Sequence, residues 1–489
     1  MKEAKSANLN IDLAIVGGGG SGLMAAIAAA KAGVKNISIL EKVSILGGNT
    51  GISHGLFAVN SPAQKRLGIR ISADEVFRDK MLYANWRIDP RIVRTVIDRS
   101  PYLIQWLESQ GLRFEYIIRF ISEKGGPQTF HKFNADPTQG IGAKLVSALI
   151  KECRELGIQF ILDTTVKKIL TEKGKGIGGV LAVAKDQELT VMAKSVIIAT
   201  GGFAGNKVLL DKYFPYHGNV ANISLPQMTG DGLLMAEEAG AFIDNQMVIL
   251  LTGPGSGELS TGLLFRRPEM IFVNKNGERF MDETLGIDHV DAAGNALSRQ
   301  PEKTCYGLID SGILREIIRR KEILTGLEQD FGRNGDWLNE LEISLGKEAQ
   351  ESKIGKSETW EGLAAWMGID ANALKGTLER YNCYCDQGYD ADFLKDQKAL
   401  RSQREPPFYA IPGQQSFDTT LGGIRINHHA EVLDKRSIPM KGLYAAGDVA
   451  TGCESVSYNH RYPGSALAFA LIFGQIAGES SARYILSQQ

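Results

Sequence analysis

A short apolar run that ends in a cluster of glycines constrains the fold of this chain more than any other feature. Ile11 to Val16 predicts a buried β-strand, and Leu23 to Ala30 predicts a helix. Gly17, Gly19 and Gly22 stand between them with the spacing GxGxxG. The chain is therefore expected to turn tightly from a strand into a helix at this point.

The next strand completes a β-α-β unit. Ile37 to Leu40 predicts that strand, and Glu41 follows it, 24 residues after Gly17. Glycines at such a turn let backbone amides and the helix N-terminus approach a pyrophosphate, while the carboxylate accepts hydrogen bonds from ribose hydroxyls. Because Glu41 would repel a 2′-phosphate, the pattern predicts a dinucleotide site that disfavours NADP. It leaves FAD and NAD open.

The rest of the chain predicts an α/β fold with an inserted domain. After a helix at 142–156, short strands over 158–191 predict a small antiparallel meander, which leads into a buried strand at 195–200. The sequence then changes to charged helical segments, and glycine-punctuated apolar segments return near the C-terminus, with a final helix at 465–485. We expect a Rossmann-like domain with a parallel sheet and an antiparallel meander, interrupted by an α+β domain. The predicted parts are 1–245, 246–418 and 419–489.

Composition excludes several classes of function. The 489 residues carry 55 Lys and Arg against 56 Asp and Glu, so no basic field recruits nucleic acid or anionic lipid. The five cysteines form no CxxC pair. No leader pattern and no run of about 18 apolar residues is visible. We expect a cytoplasmic protein without membrane insertion, and its partner to be a small molecule rather than nucleic acid.

Three later loops favour FAD over NAD. They are Gly47–Thr50, Ala199–Gly202 and Ala446–Asp448, each at a predicted strand end or close behind Glu41. The Asp448 carboxylate can hold ribityl hydroxyls. Amides at the start of the last helix, around 465–467, can stabilise negative charge on a reduced flavin.

Seven segments in order along the chain resemble the flavoprotein family of fumarate reductase and 3-ketosteroid dehydrogenase. They are EKVSILGGNT, IIATGGFAGN, MTGDG, IFVNKNGERFMDE, LERYNCYCDQGYDADF, TTLGGIRIN and GLYAAGD. The resemblance covers nearly the whole chain and implies that the inserted domain caps the substrate. It also implies non-covalent FAD, because covalently flavinylated members carry a histidine where this sequence has Asn49.

The glycine pattern and the resemblance together predict twenty contacts to FAD. These are Gly17, Gly19, Gly20, Ser21, Gly22, Glu41, Lys42, Gly48, Asn49, Thr50, Gly55, Val166, Thr200, Gly201, Asp231, Gly447, Asp448, Ser465, Ala466 and Leu467.

The chain departs from the fumarate reductases where those enzymes hold their dicarboxylate. A family His-Pro-Thr segment is replaced by residues 248–252, and a second family histidine falls on 417–419. The proton-donating arginine of the family falls on 285–288, which contains no arginine, and its relay glutamate falls near Leu263. Arg266 matches the relay arginine. The resemblance therefore argues against fumarate and succinate as substrates.

Candidate catalytic residues remain before the last helix. Arg461 stands where the family binds a substrate carboxylate, and Tyr462 begins a Tyr-Pro-Gly run like that of ketosteroid dehydrogenases, where the tyrosine polarises a carbonyl. The alternatives are a structural ion pair for Arg461 and a packed aromatic for Tyr462. Asp418, Glu283 and Arg266 are weaker candidates for proton transfer.

These features predict an FAD-dependent oxidoreductase acting on a carbon–carbon bond next to a carbonyl or carboxylate, as an ene-reductase or a dehydrogenase. The apolar replacement at 248–251 suggests a bulkier enone, steroid or aryl-acrylate-like substrate. An external electron donor or acceptor is required. The alternatives are an oxidase of the aspartate-oxidase type and an electron-transfer flavoprotein subunit that needs a partner chain.

Overall fold

The computed structural model describes residues 7–119, 126–133, 142–172, 176–185, 187–215, 220–255, 260–322, 324 and 336–488. The strands are β1 Ala7–Val16, β2 Ile37–Leu40, β3 Gly55–Phe57, β4 Ile117–Ile118, β5 Phe130–Lys132, β6 Gln159–Ile161, β7 Thr164–Glu172, β8 Gly176–Ala184, β9 Gln187–Ile198, β10 Ala221–Asn222, β11 Val248–Gly255, β12 Ile271–Val273, β13 Thr304–Asp310, β14 Gly355–Ser357, β15 Phe408–Leu421, β16 Glu431–Leu433 and β17 Pro439–Ala445. The helices are α1 Gly20–Lys31, α2 Pro62–Arg66, α3 Ala73–Tyr83, α4 Pro90–Ser109, α5 Ala143–Glu155, α6 Lys207–Tyr213, α7 Asp231–Glu238, α8 Leu285–Asp288, α9 Val290–Ser298, α10 Ser311–Arg320, α11 Asp336–Gln350, α12 Trp360–Met367, α13 Ala371–Gln387 and α14 Ser465–Leu486.

An eight-stranded sheet forms the centre of the first lobe. Its main order is β16-β17-β9-β1-β2-β6, and all neighbours on this path are parallel except β16 and β17. β7 and β8 continue from β9 as an antiparallel meander. The predicted α/β fold with a parallel sheet and a meander is confirmed.

One strand, β9, is longer than the sequence pattern predicts. The sequence predicts separate strands at 189–191 and 195–200, whereas β9 is continuous over 187–198. The prediction was wrong here because β9 changes neighbours. Its first half pairs with β8 and its second half with β17, while β1 follows it along the other edge.

The first and last helices bring the two chain ends together. A Cβ atom at Gly474 of α14 would lie 2.4 Å from the carbonyl oxygen of Ser21, and one at Gly478 would lie 2.2 Å from that of Ala25. Only glycine permits such a close approach between α1 and α14. The start of α14 is thereby held beside the glycine turn that follows β1.

A six-stranded sheet carries the second lobe. β15 pairs with β10, β11, β13 and β14, and β12 pairs with β13. Neighbouring residues of β13 point to opposite faces: Ile309 packs with Leu314 and Ile317 of α10, and Leu308 packs with the core formed by α12 and α13. The sheet is therefore covered by helices on both faces.

The predicted domain boundaries at 245/246 and 418/419 remain predictions. β10 and the last residues of β15 lie in the second sheet, outside the predicted inserted segment. Conversely, Ile249, Leu251 and Phe417 belong to the apolar core of the first lobe. The two lobes thus share packing where β11 and β15 meet.

A buried ion cluster holds the second lobe together. Arg279 donates to both oxygens of Glu283 at 2.9 Å and to Asp390 at 3.2 and 2.9 Å, and Lys395 Nζ lies 3.1 Å from Glu283. Burial alone would raise the pKa of the Glu283 carboxyl, but the charges of Lys395 and Arg279 hold that pKa below its ordinary value. Glu283, a weaker candidate for proton transfer, is thus part of a closed structural network.

Replacing Glu283 with glutamine is expected to lower the free energy of unfolding by about 3–5 kcal/mol, because Arg279 and Lys395 would stay buried with one carboxylate between them. Urea unfolding followed by circular dichroism measures the change. Glu278→Gln, at an exposed position of the same segment, is the matched control. Equal stability of the two variants would show that the cluster does not stabilise the lobe.

Candidate functional site

A cleft of about 760 Å³, counted with its open mouth, lies at the carboxyl ends of β1, β2, β9 and β17. Fifteen of the predicted FAD contacts line it: Gly17, Gly19, Gly20, Ser21, Glu41, Lys42, Gly48, Asn49, Thr50, Val166, Thr200, Gly201, Asp231, Gly447 and Asp448. Residues that the sequence did not single out also line it: Val16, Leu40, Thr164, Thr165, Ala199, Gln227, Met228, Met235 and Ala470. Val16 and Leu40 end β1 and β2, and Ala199 follows β9, so the ends of the predicted strands are a signal that would have found these three.

The glycine turn leaves its backbone open to a ligand. Gly17 has φ +108°, and a Cβ there would lie 2.3 Å from the carbonyl oxygen of Ala199. At Gly22 a Cβ would lie 2.0 Å from the carbonyl oxygen of Gly17, so Gly22 allows α1 to start against β1 without lining the cleft. Gly19 at the N-cap offers no side-chain cap, and the Gly20 amide donates to the Thr50 hydroxyl at 3.2 Å. The other amides at the start of α1 can bind an anionic group such as a pyrophosphate.

Acidic side chains stand at both ends of the cleft. Glu41 accepts hydrogen bonds from the Gly18 amide at 2.8 Å and the Val43 amide at 3.1 Å, which orient its carboxylate after β2. Asp448 accepts from the Thr419 hydroxyl at 2.9 Å. The buried hydroxyl of Thr200 has no hydrogen-bond partner within the described residues. This polar lining fits the ribose and ribityl hydroxyls of FAD.

Burial raises the pKa of the Asp448 carboxyl to about 6, against the lowering effect of Thr419. A raised pKa in the folded state means that stability is lost as pH rises through that value. In FAD-free protein, Asp448→Asn is therefore expected to raise the free energy of unfolding more at pH 8 than at pH 5, by on the order of 1 kcal/mol, because at pH 5 only part of the loss between the ordinary pKa and about 6 has occurred. Urea unfolding at the two pH values measures this; a change that is equal at both would contradict it.

The five remaining predicted contacts lie off the cleft lining; for all twenty residues, contact with FAD remains a prediction. Besides Gly22, the five are Gly55 of β3 and Ser465, Ala466 and Leu467 at the start of α14. The Ser465 hydroxyl donates to Glu454 at 2.8 Å, and Glu454 pairs with the buried Lys80 at 2.8 Å. This pair anchors the start of α14.

A second group of polar atoms lies outside the cleft. Within the described residues, Arg461 Nε, Asn459 Nδ2 and Asp418 Oδ1 are buried and have no hydrogen-bond partner. Burial raises the pKa of the Asp418 carboxyl, although the nearby His460 and His54 act in the opposite direction. Unused buried donors next to the last helix, and a carboxyl with a raised pKa, are features that functional sites share.

An apolar surface stands beside the start of α14. Val248, Leu421 and Tyr458 are buried together, with Leu250 and Ala466 packed against them. Val248 and Leu250 belong to the segment that replaces the family His-Pro-Thr. We call these five residues the apolar wall.

Two predicted catalytic side chains are engaged elsewhere. The Tyr462 hydroxyl donates to Asp79 at 2.8 Å, and its ring packs edge-on against Phe57. Arg266 donates to the carbonyl oxygen of Gly286 at 2.7 Å. Their catalytic roles remain predictions, and the Tyr462 hydroxyl reaches a substrate only by leaving Asp79. Sequence reasoning missed Asn459 as a site residue, although it stands two positions before Arg461.

Among the residues that the structure describes, no group of His, Cys, Asp and Glu is arranged to hold a metal ion. None of the described helices is long and apolar enough to cross a bilayer.

Comparison with known proteins identifies the family. The sequence model of the protein family described as FAD binding domain matches residues 12–467 of this chain. The chain belongs to this family. The predicted cofactor, FAD, is confirmed, and so is the resemblance to fumarate reductase and 3-ketosteroid dehydrogenase flavoproteins.

Individual relatives agree with this assignment. The vinyl phenol reductase of Lactiplantibacillus plantarum is 30% identical over 98% of this chain and 97% of its own length. The open conformation of a flavocytochrome c3 fumarate reductase matches with 28% identity and a TM-score of 0.73, covering 98% of this chain and 79% of the other. A 3-ketosteroid-Δ4-(5α)-dehydrogenase from Rhodococcus jostii shares the fold, with a TM-score of 0.75 at 21% identity over 98% of both chains. This member of the family is an FAD-dependent oxidoreductase.

Proposed function

We infer that this flavoprotein reduces a carbon–carbon double bond conjugated to an electron-withdrawing group on a bulky, mainly apolar substrate, such as an aryl-acrylate. The observation that carries this inference is a pair of buried donors, Arg461 Nε and Asn459 Nδ2, that have no hydrogen-bond partner among the described residues. The apolar wall near the start of α14 supports a substrate with more apolar surface than fumarate. The 30% identity to a vinyl phenol reductase points the same way.

Arg461 and Asn459 orient the substrate through its oxygen. Addition of hydride to a conjugated alkene moves negative charge onto that oxygen, so fixed donors there bind the transition state more tightly than the ground state. The guanidinium is only loosely held by the protein, since its Nη2 lies 3.5 Å from Asp79. It is therefore free to pair with a carboxylate or phenolate.

Asp418 supplies the proton. Because burial raises its pKa, its carboxyl keeps a proton at higher pH than an ordinary aspartate. Its Oδ1 atom has no hydrogen-bond partner among the described protein groups. The protonated carboxyl can therefore give its proton to the alkene carbon that does not receive the hydride.

When bound, FAD supplies the hydride, and electrons reach it from an external donor. The amide of Asn49 donates to Ser224 at 3.1 Å and offers no nucleophile for a covalent bond, which supports non-covalent binding.

The test is turnover with reduced methyl viologen as electron donor. The substrates are 4-vinylphenol, 4-coumarate, urocanate, 2-cyclohexenone and fumarate, with products identified by mass spectrometry. We expect a gain of two hydrogens on at least one aryl-conjugated alkene and little turnover of fumarate. No turnover of any alkene, with steady peroxide formation in air, would overturn the proposal in favour of an oxidase.

A further inference from the structure

We propose that Tyr83, Asp291 and His460 form a chain that carries protons from the protein surface to Asp418. The proposal rests on the proposed function, in which each reduced double bond consumes one proton. It assigns a proton source to a site where the matching segment at 285–288 contains no arginine.

The chain begins near the surface at Tyr83. This residue ends α3 and is half-buried, and its hydroxyl donates to Oδ2 of Asp291 on α9. It also contacts the carbonyl oxygen of Tyr458 at 3.2 Å. The half-buried Tyr83 is therefore the outer end of the chain, and Asp291 leads into the interior.

The middle of the chain is shielded from solvent. Asp291 and His460 are each 3% exposed, and Oδ1 of Asp291 lies 3.6 Å from Nδ1 of His460. That distance exceeds a hydrogen bond, and a small rotation of either side chain or one bridging water closes it. The His460 ring is held edge-on by Tyr458, with the ring centroids 4.8 Å apart.

The far end of the chain is the carboxyl of Asp418. It lies within electrostatic range of His460 and His54, which come from other segments of the chain. Histidine can release a proton from one ring nitrogen while taking up another at the second. Because Nδ1 of His460 is the ring nitrogen on the Asp291 side, we assign the proton transfer to Asp418 to the other ring nitrogen, Nε2.

The proton balance closes without any electron transfer along the chain. Asp418 gives its proton to the substrate carbon and takes one from His460 Nε2. His460 takes a proton at Nδ1 through Asp291, and Tyr83 passes one on from solvent. One solvent proton enters for each double bond reduced.

The test is anaerobic reoxidation of the reduced holoenzyme by the alkene, in H2O and in D2O, for wild type, Asp291→Asn and Tyr83→Phe. Ferricyanide, which takes electrons without protonating carbon, serves as the second oxidant. We expect Asp291→Asn to slow reoxidation by the alkene tenfold or more and to increase its solvent isotope effect. Reoxidation by ferricyanide should change less than twofold. Tyr83→Phe, at a half-buried position, should show a smaller effect of the same kind.

Asp282→Asn and Tyr102→Phe are the matched controls and should behave as wild type, because the Asp282 carboxylate accepts locally from Thr284 and Tyr102 is 70% exposed. A structural role for Asp291 would slow both oxidants alike and leave the isotope effect unchanged. Either that result or full activity in Asp291→Asn and Tyr83→Phe would disprove the proposed proton chain and leave the proposed function intact. If no alkene reoxidises the reduced wild-type enzyme, both the proposed function and the proposed proton chain are wrong.

Discussion

Replacing Arg461 with glutamine is expected to lower kcat/KM for the alkene by about 100-fold to 1000-fold, the usual cost of removing one preorganised donor from a developing negative charge. Glutamine keeps a donor but loses the positive charge of the guanidinium, whose side chain is 35% exposed and therefore only partly screened by solvent. The buried Nε of Arg461, with no partner among the described residues, is the basis for this size of effect. Steady-state kinetics with reduced methyl viologen measure it, and flavin content checks that the variant is folded.

Two controls separate substrate binding from the structural alternative. If Arg461 served only as an ion pair with Asp79, then Asp79→Asn would reproduce the loss. We expect Asp79→Asn to lower kcat/KM less than tenfold, because Arg461 Nη2 lies 3.5 Å from Asp79 Oδ2 and the Asp79 side chain is 42% exposed. Arg436→Gln, at a mostly exposed arginine, should leave kcat/KM unchanged. Activity of Arg461→Gln within threefold of wild type would exclude Arg461 from the site.

Replacing Gly17 with alanine is expected to abolish FAD binding. The added Cβ would lie 2.3 Å from the carbonyl oxygen of Ala199, on a backbone with φ +108°. The steric clash and the unfavourable backbone angle both force the end of β1 away from the segment that follows β9. The cleft lies between these two segments. The ratio of flavin to protein absorbance after purification measures the loss, and flavin content equal to wild type would contradict the assignment of the cleft.

Gly19→Ala distinguishes cofactor binding from folding. A Cβ at Gly19 has its nearest neighbour 3.9 Å away, the carbonyl oxygen of Gly47, and Gly19 has φ −76°. The variant should fold normally. It should still bind FAD at least tenfold more weakly, because the methyl group would stand where the backbone must approach the pyrophosphate. Unchanged FAD affinity would place the pyrophosphate elsewhere.

The sequence predicts the centre of the first lobe well but misplaces strand ends. The apolar runs at 11–16 and 37–40 predict β1 and β2 because both are buried in the parallel sheet. β1 nevertheless begins at Ala7, and β9 is continuous across 192–194. These extensions pair with each other where residues 7–11 lie beside 189–193. Leu9 and Ile11 alternate with exposed Asn8 and Asn10 and pack against the core, so a two-residue alternation rather than a continuous apolar run marks the start of β1.

The candidate site is predictable only where its residues are close in sequence. Arg461 follows from a local match before the last helix, and Asn459 lies within the same run. The contacts of Asp291 with Tyr83 and of Asp79 with Tyr462 join residues 208 and 383 positions apart. Packing of the second lobe against the first creates the contact of Asp291 with Tyr83, and the packing of the two chain ends within the first lobe creates that of Asp79 with Tyr462. A single sequence carries no periodic signal for such pairs.

The measurement that tests this account most directly is a single-turnover experiment. The holoenzyme is reduced with dithionite, and 4-vinylphenol, 4-coumarate, urocanate or fumarate is added without oxygen while flavin absorbance is followed. The account predicts rapid reoxidation by an aryl-conjugated alkene, formation of one saturated product per flavin, and loss of this reaction in Arg461→Gln. Reoxidation by none of these alkenes, but promptly by air, would contradict it.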